Sequence, residues 1–150
     1  MPDYKKLFEE AVATIGSLYR DFLNLIEDKR SYKGVKELTE LMRKKGLKTG
    51  KKLKEKLKGK ELEIAAKLLL DLHGRLGFKS KVVKKEKNKI VIRVSYCPWN
   101  AKVKGWNSKL CASLDAYEQG LVMAVNAKIK HGVSKRLSLG DKCCEIVLWR

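Results

Sequence analysis

The stretch Lys89–Pro98, KIVIRVSYCP, decides the fold class. Apolar residues occupy every second position from Ile90 to Val94, which is the pattern of a β-strand. The pair Lys87-Asn88 before it predicts a hairpin turn, and Pro98 ends the strand because proline cannot donate to a sheet ladder. The sequence therefore predicts a β-hairpin in the middle of the chain.

The segment before this hairpin has helical periodicity. Apolar residues spaced three and four apart predict a helix over residues 3–28, capped by Asp3, and a second helix from Ser31 to Gly46. A third, strongly amphipathic helix is predicted over residues 60–76. Residues 43–60 hold ten Lys or Arg and one acid, and we expect a short helix or a solvated connector there.

The segment after the hairpin predicts one helix and two strands. Ser108 can cap a helix that contains Gly120, a residue that could allow close approach of another backbone or a ligand. Residues 128–139 and 143–149 read as strands separated by a turn. We therefore predict an α+β fold, with N-terminal helices packed on an antiparallel sheet of two hairpins joined by a helix.

Length and charge limit the class of protein. A chain of 150 residues predicts a single domain, with a helical half over 1–76 and a hairpin-helix-hairpin half over 77–150. The net charge of +18 favours acidic partners such as nucleic acid. No apolar run approaches the length of a membrane span and no signal peptide is recognisable. We expect a cytoplasmic homodimer that does not bind a membrane.

The four cysteines lie in the last 54 residues, at positions 97, 111, 143 and 144. In a cytoplasmic protein they are expected to be thiols or metal ligands rather than disulfides. Cys111 falls in the first turn of a predicted helix, which favours its thiolate. Cys143 and Cys144 face opposite sides of a strand, so only one of them can join a site with Cys97 and Cys111. Three thiolates and a fourth ligand would form a zinc site, whereas buried, inert thiols are the alternative.

Several other side chains are candidates for a site. Asp115 lies one turn after Cys111 and could act as a general base or stabilise the helix start. Trp99 and Trp106 flank the Cys-Pro corner and could line an aromatic pocket or belong to the core. His73 is expected at the surface or a helix end.

The tail from about residue 96 to 149 resembles the 4-vinyl reductase (hydrocarbon-binding) domain superfamily, including amino-thiazoline carboxylate hydrolase-like proteins. The resemblance rests on Cys97-Pro98-Trp99, Leu110-Cys111, the run Asp115–Gly120 and the ending Leu139–Ile146. It implies helices against an antiparallel sheet that encloses an apolar ligand pocket.

The resemblance also bears on the cysteine cluster. The spacing from Gly140 to Cys144 fits the family's closing hairpin and selects Cys144 over Cys143. Some members hold zinc through cysteines and a Glu-x-x-Cys, but the matching positions here are Val133 and Arg136. A complete zinc site would then need a substitute ligand, for which His131, Asp115 or a water is a candidate.

The sequence therefore predicts a domain that binds or senses a small apolar or aromatic molecule, with a regulatory protein as a possible partner. Three aromatic residues would shape the site: Trp99, Trp106 and Tyr117. Three cysteines would hold zinc or act as redox thiols: Cys97, Cys111 and Cys144.

Two alternatives remain open. The resemblance allows a hydrolase that acts on a C–N bond, with Cys111 or a metal-bound water as the nucleophile and Asp115 as the base. The basic stretch 43–60 allows a module that tracks nucleic-acid phosphates, although without interleaved aromatic residues it lacks a platform for stacking bases.

Overall fold

The computed structural model of the protein describes residues 3–150, except for the side chains of residues 29–32. In this part of the chain, four helices and four strands follow the predicted order of helices, hairpin, helix and hairpin, which confirms the α+β class. Their bounds are α1 (Tyr4–Lys54), α2 (Glu61–Arg75), β1 (Lys79–Glu86), β2 (Lys89–Tyr96), α3 (Pro98–Lys102), α4 (Ser108–Val125), β3 (Lys130–Lys135) and β4 (Cys144–Trp149). The short helix over Pro98–Lys102, just before the predicted helix from Ser108, was not predicted.

The four strands form one antiparallel sheet in the order β1-β2-β4-β3. The predicted turn at Lys87-Asn88 joins β1 to β2, and Ile92 at the centre of β2 pairs with Ile146 of β4. β3 is shorter than predicted because Leu137–Leu139 forms a 3₁₀ turn before the left-handed Gly140.

The main core lies between one face of the sheet and helices α2 and α4. Ile92 and Leu148 are fully buried in it, as are Leu69 of α2 and Val122 of α4. Alternating apolar residues on β2 and the apolar stripe on α2 supply this core, as the sequence pattern indicates.

Two helix starts are fixed by side chains that accept backbone hydrogen bonds. Asp3 Oδ1 accepts from the amides of Lys5 and Lys6, as predicted. For α4 the predicted cap is wrong by one residue, since Asn107 rather than Ser108 accepts the first amide hydrogen bonds.

The predicted end of the second helix at Gly46 is wrong. Helix α1 continues through Gly46 to Lys54, so residues 43–54 are helical and only residues 55–60 connect to α2. The predicted cap at Ser31 falls among residues 29–32, whose side chains lie outside the described part of the chain. Gly46 is needed for packing rather than for a helix end, because the backbone of α4 lies directly against it.

Helix α1 nevertheless reverses direction along α4. In its first arm, residues 4–28, Tyr19 bonds to Ser113 and Glu27 bonds to Lys109. The first arm therefore runs antiparallel to α4. In its second arm, residues 43–54, Gly46 contacts Tyr117 and Lys54 bonds to the Ala124 carbonyl. The second arm therefore runs parallel to α4. The two arms therefore run antiparallel to each other, each against α4.

Glycines let the second arm lie directly on the α4 backbone. A Cβ at Gly46 would overlap the carbonyl oxygen of Tyr117, and one at Gly120 would overlap that of Arg43. A Cβ at Gly50 would lie 2.6 Å from that of Ala124. The close backbone approach predicted for Gly120 is therefore made by α1.

None of the described helices is both long and apolar enough to cross a membrane. The cytoplasmic location stays a prediction.

Candidate functional site

A small inner cavity of about 60 Å³ lies where α3 and α4 meet the sheet. Its walls include Cys97 at the end of β2, Cys111 in the first turn of α4 and Cys144 at the start of β4. The structure thus brings these three predicted residues to one cavity, whose described lining does not include Cys143. At about 60 Å³ the cavity is smaller than the roughly 150 Å³ that holds a benzene ring.

Stacked aromatic rings form one wall of this cavity. The ring centroids of Trp99 and Trp106 lie 5.3 Å apart in a stacked arrangement, and Phe78 meets Trp99 edge-on at 5.3 Å. The Trp99 indole also donates to the Val12 carbonyl of α1 at 3.1 Å. These contacts fix the orientation of the rings, and both predicted tryptophans line the cavity.

A larger outer cavity of about 220 Å³ adjoins the inner one. Met42, Leu72, Leu76 and Tyr117 line only the outer cavity, so Tyr117 lies apart from the cysteines. The two cavities share five wall residues: His73, Phe78, Trp99, Leu114 and Glu118. The two spaces therefore lie on either side of a common wall.

The three thiols differ in their surroundings. Burial raises the pKa of Cys97 to about 12 despite a hydrogen bond from the Asn100 amide, and burial also raises the pKa of Cys144. Cys111 Sγ accepts from the Trp106 indole at 3.3 Å and donates to Ser138 Oγ at 3.3 Å. All four cysteines are free thiols.

The predicted zinc site would use these three thiols. Zinc binds thiolates and deprotonates the thiols that it coordinates, so the raised pKa values of Cys97 and Cys144 describe the metal-free protein. Within the described part of the chain, no group of three or more His, Cys, Asp or Glu side chains is arranged to hold a metal ion. Zinc therefore stays a prediction from the resemblance.

The two side chains that could supply the fourth zinc ligand, Asp115 and His131, each bind another side chain. Asp115 forms an ion pair with Arg136, and the two side chains line the inner cavity. Burial raises the pKa of Asp115, although the hydrogen bond from Arg136 opposes that rise. His131 binds Glu118, 3.0 Å from its Oε2.

A buried carboxylate bound by two histidines is the feature that sequence analysis missed. Glu118 Oε1 lies 2.9 Å from His73 Nε2, and Glu118 Oε2 lies 3.0 Å from His131 Nε2. His73 lies in the last turn of α2, so its predicted position at a helix end is confirmed. The surface position is wrong, because its side chain is 1% exposed and its Nδ1 binds Ser80. Since the carboxylate can only accept, both Nε2 atoms donate.

The electrostatics of this cluster follow from its hydrogen bonds. Burial alone raises the pKa of Glu118, but the bonds from His131 and His73 outweigh it and lower the pKa to about 2. His131 Nδ1 is buried without a partner among the described residues. The only sequence signal was the position of His73 on the apolar side of α2, four residues after Leu69.

Helices on one face of an antiparallel sheet, around a cavity lined by aromatic rings and thiols, define the class of small α+β pocket domains that the resemblance implied. Residues 6–148 match the family model described as L-2-amino-thiazoline-4-carboxylic acid hydrolase. The chain belongs to that family.

Two solved structures share the fold. A trafficking protein particle complex subunit 3 from Naegleria fowleri, covalently bound to palmitic acid, aligns with a TM-score of 0.62 and 18% identity over 97% of this chain and 95% of its own. The phenol-responsive sensory domain of the transcription activator PoxR, solved with phenol, aligns with a TM-score of 0.62 and 14% identity over 92% of this chain and 73% of its own. Comparison with the curated proteins finds no match.

Proposed function

We propose that the protein binds a small aromatic or apolar molecule in the outer cavity, with the inner cavity as its extension. The observation that carries this proposal is the pair of adjoining cavities, which share Phe78 and Trp99 as a wall. At about 220 Å³ the outer cavity exceeds the roughly 150 Å³ that holds a single aromatic ring.

The chemistry of the walls favours an apolar occupant. The polar side chains there already bind one another, Glu118 with His73 and Asp115 with Arg136. A charged ligand would have to break one of these buried pairs, which is costly. An apolar ligand instead gains the burial of its surface against Leu72, among others, without that cost.

The two structural neighbours support the same class of ligand. One was solved with phenol and the other with palmitic acid, and both molecules have large apolar parts. Such binding would suit a sensor that passes its signal to a regulatory protein.

Tryptophan fluorescence tests the proposal directly. Trp149 lies on β4 and does not line either cavity, so the variant Trp149→Phe keeps only the two tryptophans at the site. Titration of this variant with phenol, toluene and 1-octanol should give saturable changes in emission for at least one probe. Unchanged emission with all three would contradict the proposal.

A cavity-filling pair of variants makes the test specific. Leu72→Phe places a larger side chain in the outer cavity, so it should weaken binding at least about tenfold by competing for the same volume. Leu139→Phe is the matched control, because Leu139 is 68% exposed and lines neither cavity. Equal affinity in the two variants would place the probe elsewhere.

A hydrolase is the second candidate. The family match favours it, and so does the position of Cys111, whose sulfur accepts an indole hydrogen bond in the first turn of α4. In this hypothesis Asp115 takes the thiol proton of Cys111 and the thiolate attacks the carbon of the C–N bond. The nitrogen leaves with the proton returned by Asp115, and water then cleaves the new C–S bond to release the product and restore the thiol. Hydrolysis of 2-amino-thiazoline-4-carboxylate that is lost in Cys111→Ala and kept in Cys143→Ala would support it.

A further inference from the structure

The first arm of α1 has two apolar faces, of which the described residues cover one and leave the other exposed. Val12 and Leu23 belong to the covered face and are 5% and 1% exposed. The other face carries a second row of apolar residues that we name the α1 seam: Tyr4, Phe8, Ala11, Ile15, Leu18, Phe22 and Leu25. We propose that the α1 seam is the interface through which two copies of this chain form a dimer.

The spacing of the seam is that of a helix–helix interface. Its members are separated alternately by four and three residues, which is the a/d pattern of a heptad repeat over three heptads. At 100° per residue they fall within an arc of about 100°, the width of a face that a helix normally buries. The pattern is therefore typical of a helix that packs against another helix.

The exposed area is large enough for a stable dimer. The large seam residues are 44–72% exposed, and Leu7 beside them is 52% exposed. With roughly 200 Å² for a fully exposed large apolar side chain, the face offers roughly 800 Å² per copy, as a standard protein interface does. A two-fold dimer would use the same face on both copies.

Charge points to a second copy as the occupant. Residues 3–28 hold six acids and three bases, whereas the whole chain has a net charge of +18. Two copies repel each other across most of their surfaces, which are basic. Two first arms, each with a net charge of only −3, repel far less than two basic surfaces do, so this face is where two copies approach at the lowest electrostatic cost. The acidic arm also disfavours nucleic acid or an anionic lipid surface on this face.

A groove continues the seam at its C-terminal end. A space of about 490 Å³ lies between Phe22, Leu25 and Ile26 on one side and Leu38 and Leu41 on the other. A two-fold axis beside the middle of the seam would bring the N-terminal end of one copy's α1 to the groove of the other. The groove and the seam therefore form one continuous apolar surface.

Sedimentation equilibrium of the full chain tests the proposal. The wild type should be a dimer at micromolar concentration. Ile15→Glu should raise the dimer dissociation constant by at least about 100-fold, because two unpaired carboxylates would be buried near the axis. Asn24→Glu is the matched control: Asn24 is exposed on the same arm but lies on the opposite side from the seam, and this variant should dimerise like the wild type.

Two results would overturn the proposal. One is a wild type that stays monomeric at about 100 μM, and the other is an Ile15→Glu variant that dimerises as tightly as Asn24→Glu. Circular dichroism confirms that each variant is folded, which is expected because Ile15 is 61% exposed. If Ile15→Glu fails to fold, Leu18→Lys, at a position 65% exposed, serves as the seam variant with the same expected outcome.

Discussion

Gly46 of α1 packs directly against the backbone of Tyr117 in α4, so that a Cβ at this glycine would overlap the Tyr117 carbonyl oxygen. The neighbouring Gly120 makes the reciprocal contact with the backbone of Arg43. This pairing holds the second arm of α1 against α4, and Tyr117 lines the outer cavity beside it. The shape of the cavity therefore depends on two glycines that do not line it.

Substitution of Gly46 by alanine should destabilise the fold by roughly 2 kcal/mol or more, because backbone atoms of α4 cannot yield as a flexible side chain would. The midpoint of urea unfolding measures the effect. Gly74→Ala is the matched control: Gly74 is in α2 with open space around it, so alanine should stabilise it by roughly 0.5–1 kcal/mol. Equal shifts in the two variants would contradict the close approach of the helices.

Substitution of Glu118 by glutamine should cost about 3 kcal/mol of the free energy of unfolding at pH 7, because two buried histidines would lose a shared carboxylate. Urea unfolding at pH 7 gives the measurement. Glu55→Gln changes an exposed glutamate and should be nearly neutral. A Glu118→Gln variant as stable as Glu55→Gln would show that the cluster does not support the fold.

The stability of the wild type should fall in acid for the same reason. The pKa of Glu118 is lowered from 4.5 to about 2 in the folded protein, so its stabilisation is present above about pH 4.5. It is lost as the pH falls through about 2. Urea unfolding followed from pH 5 to 2 should show a smaller loss in Glu118→Gln than in the wild type, and identical pH profiles would exclude this role.

Cys97 should react more slowly than the other thiols in the native protein. Its side chain is buried, and with a pKa of about 12 only about one in ten thousand molecules carries the thiolate at pH 8. Titration with Ellman's reagent should give the same number of fast thiols in Cys97→Ser as in the wild type. Cys143→Ser should lose one fast thiol, since Cys143 is partly exposed; loss of a fast thiol in Cys97→Ser would contradict the assignment.

Much of the fold could be predicted from local patterns. The alternation on β2 and the stripe on α2 each specify a local period and a buried face, and both elements lie where predicted. The end of the second predicted helix at Gly46 could not be placed, because a glycine that ends a helix and one that admits a neighbouring backbone look the same in a sequence.

The candidate site was predictable only in part. Two adjacent cysteines in a strand indicate that one faces inward, and the resemblance selected Cys144, which lines the inner cavity. The cluster of Glu118 with His73 and His131 was missed because its members come from α4, α2 and β3. No local period relates residues that only long-range packing brings together.

The sequence by itself determined the order and the kind of the elements, since these follow from hydrophobic period, turn residues and caps acting over a few positions. Only the tertiary structure decided that α1 runs up and down against α4, that three thiols and two tryptophans enclose one cavity, and that an acid is buried between two histidines. These relationships arise because desolvation and close packing act between segments far apart in the chain. Composition alone gives the net charge of +18, but only the structure shows that the acidic first arm of α1 also exposes a row of apolar residues.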